Sequence, residues 1–162
     1  MQLRLLTLTA VLLTSTSVIA GDGFGSFSSE TDRATKALAC PRPKTTPASA
    51  GLGALYGCVV GRAETVKFFI NEGAKAGQVK NVKLMWNDWF KDTGYGVHAD
   101  QPEAEKFVRA LAALYAPSLK DKLLKAFFAN ENTTVEAGQY RFAYSYSRGP
   151  AIDERLIVVT QK

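Results

Sequence analysis

The sequence predicts an α+β domain: a small antiparallel or mixed sheet, one central strand plus a C-terminal hairpin, covered by about three helices. Three observations lead there. Near the C-terminus, Tyr140, Phe142, Tyr144 and Tyr146 alternate with Arg141, Ala143 and Ser145, which is strand spacing with one aromatic face. Before it, two stretches carry apolar residues at helical steps of three and four behind cap-like openings. The whole chain has 162 residues, of which 46% are hydrophobic, enough for one core but not for two domains.

In chain order, residues 1–20 read as an export signal. Arg4 supplies a basic start, Leu5 to Ile19 is apolar apart from Thr and Ser, and Val18-Ile19-Ala20 precedes Gly21 as a cleavage site. The localisation this implies is periplasmic or secreted. The run is shorter than the roughly 20 residues that span a bilayer. In an oxidising compartment the two cysteines, Cys40 and Cys58, favour a disulfide, closing a loop worth about 3 kcal/mol. Residues 21–49 are rich in Gly, Ser, Thr and Pro and poor in large apolar groups, so they read as a flexible tail ahead of a single domain over residues 50–162.

Next, Leu52, Leu55, Tyr56, Val59, Ala63, Val66 and Ile70 fall at helical steps, and the spacing predicts a helix from Arg62 to Glu72 after a break near Gly61. Gly53, Gly57 and Gly61 repeat every four residues, a small-residue stripe that lets a helix or an envelope surface approach closely. Over residues 80–89, Val82, Leu84 and Trp86 alternate, which favours a strand over a helix. Asp100, with Pro102 and Glu103 behind it, reads as a helix cap whose carboxylate accepts an early backbone N–H. The helix it opens carries Phe107, Ala110, Leu111 and Leu114 and ends before Pro117. Ser118, with Asp121 three residues on, opens another helix bearing Leu119, Leu123, Leu124, Phe127 and Phe128. Ser147-Arg148-Gly149-Pro150 then turns the chain into a β-branched return strand from Ile152 to Thr160.

Charge excludes little. The net charge is +5, with Lys and Arg interspersed among Asp and Glu, and no basic stripe with interleaved aromatics points to nucleic acid. The chain has one His, His98, and no GxSxG elbow. Asp88, Asp92, His98 and Asp100 lie within thirteen residues, yet their spacing matches neither a calcium loop nor a zinc pair, so no metal or cofactor is predicted. The remaining signal is a concentration of amphipathic aromatics. Trp86, Trp89, Tyr95, Tyr140, Tyr144 and Tyr146 offer flat apolar bodies with polar tips, and Arg141 and Arg148 stand by for an acidic group. These residues predict a non-enzymatic exported protein that binds a protein partner or small ligand on an aromatic-lined sheet surface. Two alternatives stand beside it: a small exported hydrolase using Asp88, Asp92 or His98, with Asp153 or Glu154 as a second carboxylate, and an envelope-associated structural protein using the glycine stripe. The bland counterpart of the aromatic reading is that the rings form the core beneath the helices.

Overall fold

The structure is a computed structural model and describes residues 23–92 and 94–162; the export-signal reading of residues 1–20 lies outside the described residues. Three α-helices and seven strands follow in the order α1 (Phe27–Leu38), β1 (Lys44–Thr46), β2 (Leu55–Val60), β3 (Val66–Glu72), β4 (Val79–Trp89), α2 (Gln101–Tyr115), α3 (Lys120–Phe128), β5 (Thr133–Ala137), β6 (Tyr140–Arg148) and β7 (Ile152–Gln161). The strands form one seven-stranded sheet in the order β1-β2-β3-β4-β7-β6-β5, antiparallel at every pairing. Two three-stranded meanders, β2-β3-β4 and β5-β6-β7, thus meet along the longest strands, β4 and β7. Each meander has a half-buried rim, and joining them through the longest pair of strands satisfies the most backbone groups that would otherwise face water.

This sheet corrects the predicted one, which held only a central strand and a hairpin. The main error lies in residues 52–72, read at helical spacing with a helix expected from Arg62 to Glu72 and found as the β2–β3 hairpin. Tyr56, Cys58 and Val60 on β2 and Val66, Phe68 and Ile70 on β3 all point inward and are buried, so the true period is two. Steps of three and four over the same stretch arise because some outward residues, Leu55 and Val59, are apolar as well. The glycines oppose a helix, at about 1 kcal/mol each relative to Ala, while Val and Ile fit a pleated surface. Gly53, Gly57 and Gly61 therefore form no helix stripe. Gly57 lies beside Phe69 on β2, and Gly61 takes φ +96° in the turn before β3.

Segment 21–49, read as a flexible tail from composition, contains α1. Ser26 caps this helix by accepting the Ser29 N–H, and Ala34 and Leu38 are buried in the core. Glu30, fully buried, accepts from the Gly25 N–H, the Arg33 guanidinium and the Tyr115 hydroxyl, which removes the cost of burying its carboxylate unpaired. Burial of the Tyr115 ring, then the Glu30 carboxylate beside it, pushes the Tyr115 hydroxyl well above its ordinary pKa. The Cys40–Cys58 disulfide then ties the end of α1 to β2. It is compatible with an exported protein.

The helices lie against one face, α1 on β3, α2 on β4 and α3 on β7. Among the described residues no helix lies on the opposite face, whose residues alternate with the buried ones along each strand. The expected strand at 80–89, the two later helices and the C-terminal hairpin are all present. Two caps differ. Asp100 sits before α2 but at φ 61°, with no side-chain bond to the helix. Ser118 lies inside a 3₁₀ turn, Pro117–Leu119, so that α3 starts after Leu119 without a side-chain cap. No described helix is long and apolar enough to cross a membrane.

Candidate functional site

Three locations receive the predicted site residues. The first is the core: Trp86 is 1% exposed and Tyr144 5%, so neither lines a groove. The Trp86 indole stacks near Phe127 with centroids 6.4 Å apart, and its Nε1–H donates to the Ala99 carbonyl at 3.0 Å. Tyr144 donates its hydroxyl to the Ala129 carbonyl at 2.8 Å. Tyr140 is buried too and donates to the Gly23 carbonyl. The aromatic face of β6 is the floor on which the helices pack, and the expected aromatic-lined surface is corrected to a core.

The second location is the exposed surface. Tyr95 is 53% exposed with the Arg62 guanidinium 5.9 Å from its ring centre. Asp92 accepts from the Gly96 and Gly94 N–H groups, both at 2.8 Å; these bonds hold its carboxyl below the ordinary range and explain it as the organiser of its own loop. Arg141 points to the uncovered side of β6 and pairs with Glu136, while Arg148 is exposed at the strand end. Trp89 is half-buried, one position out of phase with Trp86 and so on the uncovered side of β4.

At the third location, chemistry-bearing groups converge. Asp88 ends the inward series Val82, Leu84, Trp86 and is buried; β7 places Asp153 directly across from it and Arg155 across from Trp86. Asp88 Oδ1 lies 2.7 Å from His98 Nδ1, and its Oδ2 accepts from Arg155 Nε at 3.2 Å. Arg155 is in turn held by further partners: Nη1 donates to the Phe127 and Ala129 carbonyls and to the Tyr144 hydroxyl, and Nη2 to Asn130 Oδ1 at 2.9 Å. Its guanidinium also lies over the Trp86 and Tyr146 rings. Tyr146 donates to Asp153 Oδ2 at 2.6 Å, and that bond is the main reason its hydroxyl pKa is raised. Glu154, adjacent on β7, faces the other side and is exposed.

The His98 loop is anchored from below. Asp100, expected as a cap, turns its carboxylate to the β2–β3 turn instead, accepting from the Ala63 and Thr65 N–H groups and the Thr65 hydroxyl. A carboxylate with three such donors gains more there than from one helix N–H. Gly61 makes room, since a Cβ at that position would overlap the Asp100 carboxylate.

Sequence reasoning passed over Arg155. Its signal was present: along β7, Ile157 and Val159 mark the inward phase, and Arg155 is a charge in that same phase. It also passed over a groove on the uncovered face. Arg42, Lys44 and Thr46 on one side, Leu55, Gly57 and Val59 along β2, and Glu64 and Phe69 beyond enclose about 350 Å³. Arg42 and Lys44 belong to the segment set aside as a tail. Among the described residues, no three His, Cys, Asp or Glu side chains gather into a metal centre. No family model, curated protein or solved structure matches this chain.

Proposed function

We propose that this is an exported binding protein whose ligand site is the groove beside β1, and that the ligand is a single-chain amphiphile with an anionic head. The observation that carries this reading is the groove itself: an apolar floor of Leu55, Val59 and Phe69 with Lys44 and the Arg42–Glu64 ion pair at its rim. Its volume falls within the usual size of small-molecule sites. Gly57 supplies the depth, because a Cβ there would already stand 3.3 Å from the Phe69 ring. Register extends the apolar lane inward: Met85 pairs with Leu156, and Lys83 with Val158, all half-buried on the same uncovered face. Lys67 and Lys83 flank that lane, so its charge complement is acidic. The signal-like residues 1–20 and the disulfide support export.

Calorimetric titration with sub-micellar decanoate tests the reading. Wild-type protein binds; Lys44→Glu weakens binding by about tenfold or more, the size expected for losing one charge-assisted contact. Gly57→Val, which fills the groove without touching its charges, removes binding. Equal affinity for decanol, or unchanged affinity in Gly57→Val, rejects the site.

A further inference from the structure

We propose that His98 is the general base of a second site, one that hydrolyses small carboxylic esters by direct attack of water. This site lies at the helix-covered end of β4 and β7, on the side of the sheet away from the groove.

The imidazole is oriented rather than free. Its Nδ1 is 2.7 Å from Asp88 Oδ1, and in the tautomer that donates Nδ1–H to this carboxylate, Nε2 is the basic nitrogen. The ring is 53% exposed while the Asp88 side chain behind it is 4% exposed, so the pair presents one reactive edge to solvent from a buried support. Asp88 is fixed from the other side by Arg155, whose side chain is 8% exposed and is itself held by Phe127, Ala129, Asn130 and Tyr144. The backbone is held to the same end. His98 takes φ 55°, a conformation uncommon for a residue with a Cβ, and its N–H donates to the Trp89 carbonyl at 2.6 Å. Ala99, next in the chain, accepts from both Trp86 Nε1 and Thr65 Oγ1.

A second carboxylate lies beside Asp88. Asp153 stands opposite Asp88 in the β4–β7 register, where facing Cβ atoms lie about 4.5–5.5 Å apart. Tyr146 engages its Oδ2, but Oδ1 is buried with no hydrogen-bond partner among the described residues. Asp88 from β4 faces the imidazole, and behind Asp88 stand Asp153 and Arg155 from β7 and Tyr146 from β6.

The chemistry balances without a cofactor. Water donates a proton to His98 Nε2 as its oxygen bonds to the ester carbonyl carbon. The tetrahedral intermediate collapses with cleavage of the carbon–oxygen bond to the leaving group, which takes the proton back from the imidazolium, giving acid and alcohol. Both cysteines are joined in the disulfide and offer no thiolate.

Hydrolysis of p-nitrophenyl acetate by the intact protein tests this, because the chain has a single His. Wild-type protein exceeds an equal concentration of imidazole by about tenfold or more. His98→Gln, a change at a half-exposed ring, loses that excess. Diethyl pyrocarbonate abolishes it and hydroxylamine restores it. Asp88 acts as a positioning residue, so Asp88→Asn lowers kcat with KM unchanged; should that variant fail to fold, His98→Gln decides the matter. A wild-type rate no greater than that of imidazole, full activity in His98→Gln, or insensitivity to diethyl pyrocarbonate overturns the proposal.

Discussion

At the residue scale, Arg155 carries the heaviest structural duty. It and Asp88 are both buried, 3.2 Å apart, and each satisfies the other inside a wall of aromatic rings. Removing one member leaves an uncompensated buried charge, so Arg155→Met is expected to cost about 3–5 kcal/mol in urea unfolding. The double variant Arg155→Met with Asp88→Leu recovers part of that loss, because it removes the unpaired charge but not the need of the Phe127 carbonyl and Asn130 for a donor. A single-variant loss below about 1 kcal/mol contradicts the burial of the pair. Gly61 makes a second residue-scale case. It combines φ +96° with contact against the Asp100 carboxylate, so Gly61→Ala destabilises by about 1–3 kcal/mol and frees the His98 loop, read as faster amide exchange over residues 97–100.

The disulfide decides the fate of one helix. The segment before it is poor in large apolar groups, and α1 is held by a few of them, Ala34 and Leu38 among others, together with the Glu30 network and the Cys40–Cys58 bridge. Reduction is expected to lower stability by about 3 kcal/mol in denaturant titration. Hydrogen exchange then rises first in residues 27–38, ahead of β4 and β7, which lie at the centre of the sheet. Uniform loss of protection in all elements contradicts this order. Composition alone read the same segment as a tail, because it cannot see that Glu30 finds three donors on other turns and another helix. The hairpin β6–β7 was legible for the opposite reason. Its aromatic and β-branched residues alternate over nine and ten residues, and a local turn joins them. The β2–β3 hairpin was not, since apolar residues on both faces of β2 imitate a helical period.

For the molecule as a whole, tyrosine titration reports the integrity of the core. Burial pushes up the hydroxyls of Tyr115, Tyr140 and Tyr144, and the bond to Asp153 does so for Tyr146. A raised pKa on a group whose neutral form is favoured stabilises the fold fully below the ordinary tyrosine range near 10, and that contribution is lost as pH climbs through the raised values. Absorbance of tyrosinate is therefore expected to lag behind that of the urea-unfolded chain from about pH 10 upward, and to catch up in one step as the fold opens. Coincident titration curves for folded and unfolded protein contradict this packing.

Alternation of period two, loop chemistry and the pair of cysteines are properties of neighbouring residues, and from them the sequence by itself determined the strand at β4, two later helices, the C-terminal hairpin and the one disulfide pairing open to it. It also singled out Asp88 and His98. Only the tertiary structure decided that they touch, that Asp153 faces Asp88, and that Arg155 lies behind them, because strand order and register are set by pairing across seventy residues of chain. Likewise it decided which face of the sheet the described helices cover: Trp86 and Tyr144 point where the helices bury them, while Phe69 and Leu55 point to the other face and line the groove, half-buried. An aromatic side chain carries the same apolar surface in either place, and the direction its strand turns it separates a core from a binding site.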